Sequence, residues 1–148
     1  MNQLTELWTR LSEVQVLQFK SQSQSHTNWG GAGTGVVKVS VPTPDVLLFE
    51  ESGSWNQDGG KEIRFTNVFR WSIIEDKIKL EHLRFGVDNP VFLFDMELED
   101  DGVWREIIPH PCNQDCYRAS LQVKNGSIHV RWLVQGPNRD ELIYYVYV

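Results

Sequence analysis

A chain of 148 residues, 41% hydrophobic and 23% charged, has the length of one domain and too much apolar content for a disordered segment. Lys and Arg number 14 against 20 Asp and Glu, a net charge of −6 at neutral pH that argues against nucleic acid or an anionic membrane surface as partner. The opening residues, Met1 to Glu6, lack the basic and apolar regions of a secretory signal, and no apolar run approaches the roughly 20 residues of a membrane span. A cytoplasmic location is therefore expected, with the 2 cysteines, Cys112 and Cys116, as thiols and not a disulfide framework.

Leu4, Leu7, Trp8 and Leu11 recur at i, i+3, i+4 and i+7 and predict a short helix capped by Asn2 or Thr5. Two to three turns do not stand alone in water, so the apolar stripe is expected to seat on a barrel end, with Trp8 plugging it. From Val14 the period falls to two. Val14, Val16 and Phe19 open a strand that runs into the polar stretch 21–28. Gly30, Gly31, Gly33 and Gly35 precede a strand at 36–41; no Lys-Ser/Thr pair follows them, so they read as flexible hairpin or strand-start glycines and not as a phosphate loop. Further strands are expected at 46–55, 62–74, 77–85, 91–98, 103–108, 116–123, 128–134 and 141–148. In the strand from Glu62, Ile63, Phe65, Phe69, Trp71 and Ile73 share one face with Asn67 as its only break, while Arg64, Thr66, Val68, Arg70 and Ser72 share the other.

About ten strands at regular spacing, joined by tight turns such as Asn125-Gly126, predict one all-β domain over 1–148. Sequential hairpins and a single preceding helix favour an antiparallel, up-and-down barrel of the lipocalin or calycin kind over a sandwich, although a Greek-key crossing stays open.

Two segments are less generic: His110-Pro111-Cys112-Asn113-Gln114-Asp115-Cys116-Tyr117-Arg118, and Trp132 to Asp140 with its Gly136-Pro137-Asn138-Arg139-Asp140 turn. Together they resemble a family of small uncharacterised bacterial and fungal domains marked by His-Pro-Cys-x-x-Asp-x-Tyr and Trp-x-Val-x-Gly-Pro-x-Lys/Arg-Asp. The likeness is close over the last third and looser at Glu50 to Gly53 and Phe69 to Trp71. It departs at the end, where Tyr145-Val146-Tyr147-Val148 replaces a Tyr-x-Arg finish. The resemblance implies a lipocalin-like fold and assigns no reaction.

His110, Cys112 and Asp115 are the candidate catalytic residues, since a Cys-His pair oriented by a carboxylate suits thiolate chemistry. The plainer reading is preferred: Pro109 and Pro111 fix a turn, Asp115 accepts backbone N–H groups and Cys112 is a small hydrophobe. Zinc on His110, Cys112 and Cys116 lacks a fourth ligand at finger-like spacing, so no metal is expected.

Arg70, Arg84 and Arg131 would hold an anionic head group if they faced inward; if Phe65, Phe69 and Trp71 face inward instead, the arginines face water, and this second register is favoured. Trp71, Trp132, His110, Tyr117, Arg118 and Arg139 complete the candidate ligand set, with Trp55 and Trp104 as further wall residues. The expected function is binding of a small apolar or amphipathic molecule, an anion included, in the barrel. Haem (on His110 or His82) or a bilin would be special cases. A barrel-mouth enzyme and a ligand-free interaction module are the alternatives, and monomer and dimer are both open.

Overall fold

A computed structural model describes residues 2–23, 30–57, 60–108, 110–112, 115–137 and 139–148. Helix α1 (Gln3–Ser12) opens the chain, and the Asn2 side chain caps it by accepting from the Thr5 N–H at 2.8 Å. Its stripe does what the spacing predicts. Leu7 and Leu11 are fully buried against the barrel, Leu4 and Trp8 pack beside them, and the Trp8 indole N–H donates to the Pro44 carbonyl at 2.9 Å. Each fully buried leucine stabilises the seat by about 1.5–3 kcal/mol.

Eleven strands follow: β1 (Val16–Ser23), β2 (Gly31–Thr43), β3 (Val46–Gln57), β4 (Glu62–Ile74), β5 (Lys77–His82), β6 (Val91–Leu98), β7 (Trp104–Glu106), β8 (His110–Cys112), β9 (Asp115–Lys124), β10 (Ser127–Gly136) and β11 (Arg139–Tyr147). Each pairs antiparallel with its neighbour, and β11 pairs with both β10 and β1, so ten strands form a closed wall. Closure removes the open sheet edges that a meander would otherwise leave. The short β8 lies outside the ring. It shares one edge of β9 with β7, pairing at 115–117 while β7 pairs at Ser120 and Leu121.

The strand ends depart from expectation where backbone chemistry dictates. The strand expected over 77–85 stops at His82, because the Leu83 N–H turns to the Val68 carbonyl and Gly86 takes φ +93°. The strand expected over 103–108 shortens to three residues, the Ile107 N–H donating instead to the Asp95 carbonyl. Pro42 has no N–H and sits where the β2–β3 register shifts between Ser40 and Thr43. Asn125 and Gly126 both take positive φ, the conformation of a two-residue type I′ hairpin.

Of the glycines read as hairpin or strand-start residues, Gly30 precedes β2, Gly31 opens it, and Gly33 and Gly35 lie within it. Gly33 pairs with Phe19 and Trp55, and a Cβ on it would fall 2.5 Å from the Phe19 ring; the ring lies over the bare backbone. On β3, a Cβ at Gly53 would collide with the Thr34 carbonyl and stand 2.6 Å from the Gly35 Cα. Backbone cannot swing aside as a side chain can. Gly53→Ala is therefore expected to cost about 2–3 kcal/mol and to lower Tm by roughly 5–10 °C in a thermal melt. An unchanged Tm would mean that β2 and β3 separate freely.

Register fixes which side chains face inward. The two ends of the barrel then differ. Around the helix-capped base, Leu17, Leu47, Phe49, Trp71, Ile78, Leu80, Phe94, Met96, Leu121 and Ile128 are each at most 2% exposed. Toward the other end, Phe19, Trp55, Phe65, Phe69, Tyr117, Trp132 and Tyr145 are only half-buried, although they lie on the same inward face. The base is packed solid and the mouth half is accessible.

Candidate functional site

A chain of rings runs from the mouth to the base. Phe65 meets Phe19 edge-on at 5.6 Å, Phe19 stacks on Tyr145 at 5.3 Å, and Tyr145 stacks on Tyr147 at 5.9 Å. Tyr147 then meets Phe49 at 5.5 Å, and Phe49 meets Trp71 at 5.8 Å. Phe69, on β4 between Phe65 and Trp71, stacks on His82 of β5 at 4.9 Å, and Phe94 of β6 is tilted against Trp132 of β10 at 5.5 Å. These spacings are those of favourable aromatic pairs.

One acid is set into this apolar surface. Glu51 follows Leu47 and Phe49 on the inward face of β3, in register with Val37 on β2 and Asn67 on β4, and is 2% exposed. The Tyr147 hydroxyl crosses from β11 to donate to its Oε2 at 2.6 Å. Its Oε1 is buried with no hydrogen-bond partner among the described residues. Burial pushes the carboxyl up from 4.5 to about 7, against the opposing pull of Tyr147 and, more weakly, the Asn67 amide. Burial and the nearby carboxyl hold the Tyr147 and Tyr145 phenols far above their usual range, so Tyr147 remains a donor at neutral pH. Trp71 Nε1 is the second buried polar atom left without a partner.

A hollow lies on the side of the barrel next to this region. β4 runs past the end of β5, so Glu62 to Asn67 have no neighbour on that side among the described residues. The hollow, of about 450 Å³, occupies the gap, lined by Thr66, Asn67, Val68, His82, Leu83 and Arg84. Asn67, the residue in register with Glu51, is part of its lining. Burial, then the charge of Arg84, lowers the His82 pKa and favours its neutral form.

The residues singled out from sequence divide sharply. Trp132 and Tyr117 face inward in the mouth half, whereas Trp71 and Trp104 belong to the sealed base, 2% and 3% exposed. Arg70, Arg84, Arg118 and Arg131 do not line the interior. Arg70 lies on the outer face of β4 and donates to Glu81 at 2.8 Å, Arg131 lies over Tyr144 outside β10, Arg84 lies over Phe85 in an exposed turn, and Arg118 donates outward to Glu106 at 2.6 Å. The inward register belongs to Phe65, Phe69 and Trp71, and alternation sends Arg70 to the opposite face.

The backbone of β8 pairs His110 with Tyr117 and Cys112 with Asp115, while Cys116 pairs with Gln135 and Gly136 with Arg139. Both motif segments thus meet at the mouth end. The side chains of His110, Cys112, Asp115 and Arg139 lie outside the described residues. Glu51, Tyr145 and Tyr147 were not anticipated as a group. The alternation of Leu47, Phe49 and Glu51, and of Ile143, Tyr145 and Tyr147, carries the signal once the inward parity is known.

A ten-strand antiparallel barrel, plugged at one end by one helix, places the protein in the lipocalin-like class. Within it, the chain belongs to a family of unknown function, DUF6314, whose model matches residues 16–148. Its fold is similar to that of an S-type phycobiliprotein lyase from Guillardia theta, with a TM-score of 0.61 and 12% identity over 98% of this chain and 91% of the lyase. A de novo designed fluorescence-activating β-barrel is more distant, with a TM-score of 0.44 and 13% identity over 95% of this chain and 97% of that one. No curated protein matches the chain in sequence.

Proposed function

We propose that this barrel binds one small, largely apolar molecule in its mouth half, between the Phe19–Phe65–Phe69–Tyr145 wall and the side formed by Trp132 and Tyr117. The carrying observation is the contrast in packing: inward-facing rings are sealed at the base and accessible toward the mouth. A barrel filled for stability alone would have no reason to leave seven large aromatic side chains half-exposed on its inner face. A hollow of about 450 Å³ at the side, bordered by Asn67 and His82 of the inward register, has the size of a small-molecule site and supports the reading. The likeness to the Guillardia theta lyase supports the fold that such a site needs. The described interior carries no guanidinium or ammonium group, which argues against an anionic head group as the anchoring element.

Trp55 and Trp132 stand in the proposed site and report on it. Native mass spectrometry of the purified protein, followed by tryptophan-quenching titrations with a bilin, a fatty acid and haem, is the direct test. A retained small-molecule mass or saturable quenching by one class is the expected result. A bare mass with no quenching by any probe would overturn the proposal.

A further inference from the structure

Resting on that reading, we propose that the ligand carries a protonated nitrogen on an apolar body and that Glu51 is its counter-ion. Three features converge on a cation. First, Glu51 presents a buried oxygen with no partner, and a buried acceptor left unmade costs free energy that a bound N–H donor recovers. Second, aromatic rings surround it: Tyr147 holds the other carboxyl oxygen, stacked on Tyr145 and met edge-on by Phe49, with Phe19 beyond Tyr145. Aromatic faces beside a carboxyl form the recognition set for organic ammonium groups. Third, Glu141 joins Glu51 on the inner face, with a partner of its own, while no described Lys or Arg side chain points in. His82, which also faces inward, is held toward its neutral form, so the charge inside the barrel favours a cation.

The groups facing Glu51 are Tyr145 and Tyr147 from β11 and Asn67 from β4, with His82 across the lateral hollow and Arg84 exposed at its rim. The tyrosines stay protonated and Asn67 does not titrate. Near neutral pH Glu51 is divided between acid and carboxylate. A cation entering beside it selects the carboxylate, so binding expels one proton from Glu51 and the site remains neutral overall.

Isothermal titration with three probes of one shape tests this: 1-naphthylmethylamine, 1-naphthylmethanol and 1-naphthylacetic acid. The amine should bind at least about tenfold more tightly than the alcohol, with the acid weakest. Between about pH 6 and pH 8 the amine's affinity should rise by about tenfold as Glu51 ionises, while the alcohol's stays flat. Glu51→Gln should bring the amine's affinity down to that of the alcohol, while a cooperative thermal melt of the variant reports that it is folded. Equal binding of all three probes, or an amine preference that survives both Glu51→Gln and the pH change, overturns the cation reading and leaves the binding site standing. Failure of all three, while a bilin, a fatty acid or haem quenches, also overturns the cation reading. Failure of every compound in both sets overturns the site as well.

Discussion

Raising the pH from about 5 to about 8 is expected to remove about 3 kcal/mol of folding stability through Glu51 alone. In the unfolded chain this carboxyl titrates near its ordinary value of 4.5; in the barrel, burial moves it to about 7. Between those values the folded protein holds a proton that the unfolded chain has released. Stability therefore falls as pH rises through the window, and the loss is complete once the folded carboxyl has ionised. Below it, both states are protonated and the effect is constant.

His82 works with the opposite sign. Its folded pKa is lowered, so its contribution is present above its ordinary value of 6.5 and is lost as pH falls. The profile of the native protein is the sum of such effects, and the difference from Glu51→Gln isolates one of them. Glutamine offers Tyr147 the same acceptor oxygen but has no proton to exchange. Denaturant midpoints for the two proteins across this pH range should diverge, the native protein losing about 3 kcal/mol relative to the variant. Parallel curves would show that Glu51 ionises in the barrel as it does in water, and its role as a site residue would go with that result.

Local pattern carried a large part of the architecture. The 3.6-residue stripe of Leu4, Leu7, Trp8 and Leu11 located the helix and its buried face, and the alternation from Ile63 to Ile73 identified the inward side of β4 apart from its choice of direction. Even the break at Asn67 was visible, though not its meaning, which depends on Glu51 standing opposite. What the sequence withholds is register between distant strands. Nothing in residues 139–148 names β1 as a partner, yet that pairing closes the barrel and brings Tyr147 across to Glu51, 96 positions away. Before closure is known, Glu51 reads as one of two surface acids at a strand end. Arg70 shows the complementary limit: a one-residue choice of face separates a ligand anchor from an outer ion pair with Glu81, and only the pairing decides it. The glycines of β2 were legible as punctuation, whereas their use as a floor for the Phe19 ring depends on a neighbour that local sequence cannot supply.

The division between a packed base and an accessible mouth makes a second, larger demand on experiment, because two phenylalanines on adjacent strands should behave differently. Phe49 is fully buried, wedged between Trp71 and Tyr147, and lies among base residues that the helix seals from water. Phe49→Ala leaves a void that close-packed neighbours cannot fill, so a loss of about 3–5 kcal/mol is expected, with a fall in Tm of roughly 10–15 °C. Phe65 faces the same interior from β4 but is half-buried, with Phe19 against its edge. Removing a ring that is already partly hydrated gives up less transfer free energy and opens space continuous with the mouth, so Phe65→Ala should cost only about 1–2 kcal/mol. Its larger effect should be on ligand affinity, weakened by about tenfold or more as one wall of the site disappears. Thermal melts and quenching titrations on both variants separate the two roles. If Phe65→Ala proved as destabilising as Phe49→Ala, the mouth would be packed like the base, and a barrel packed along its whole length would have no room for a ligand.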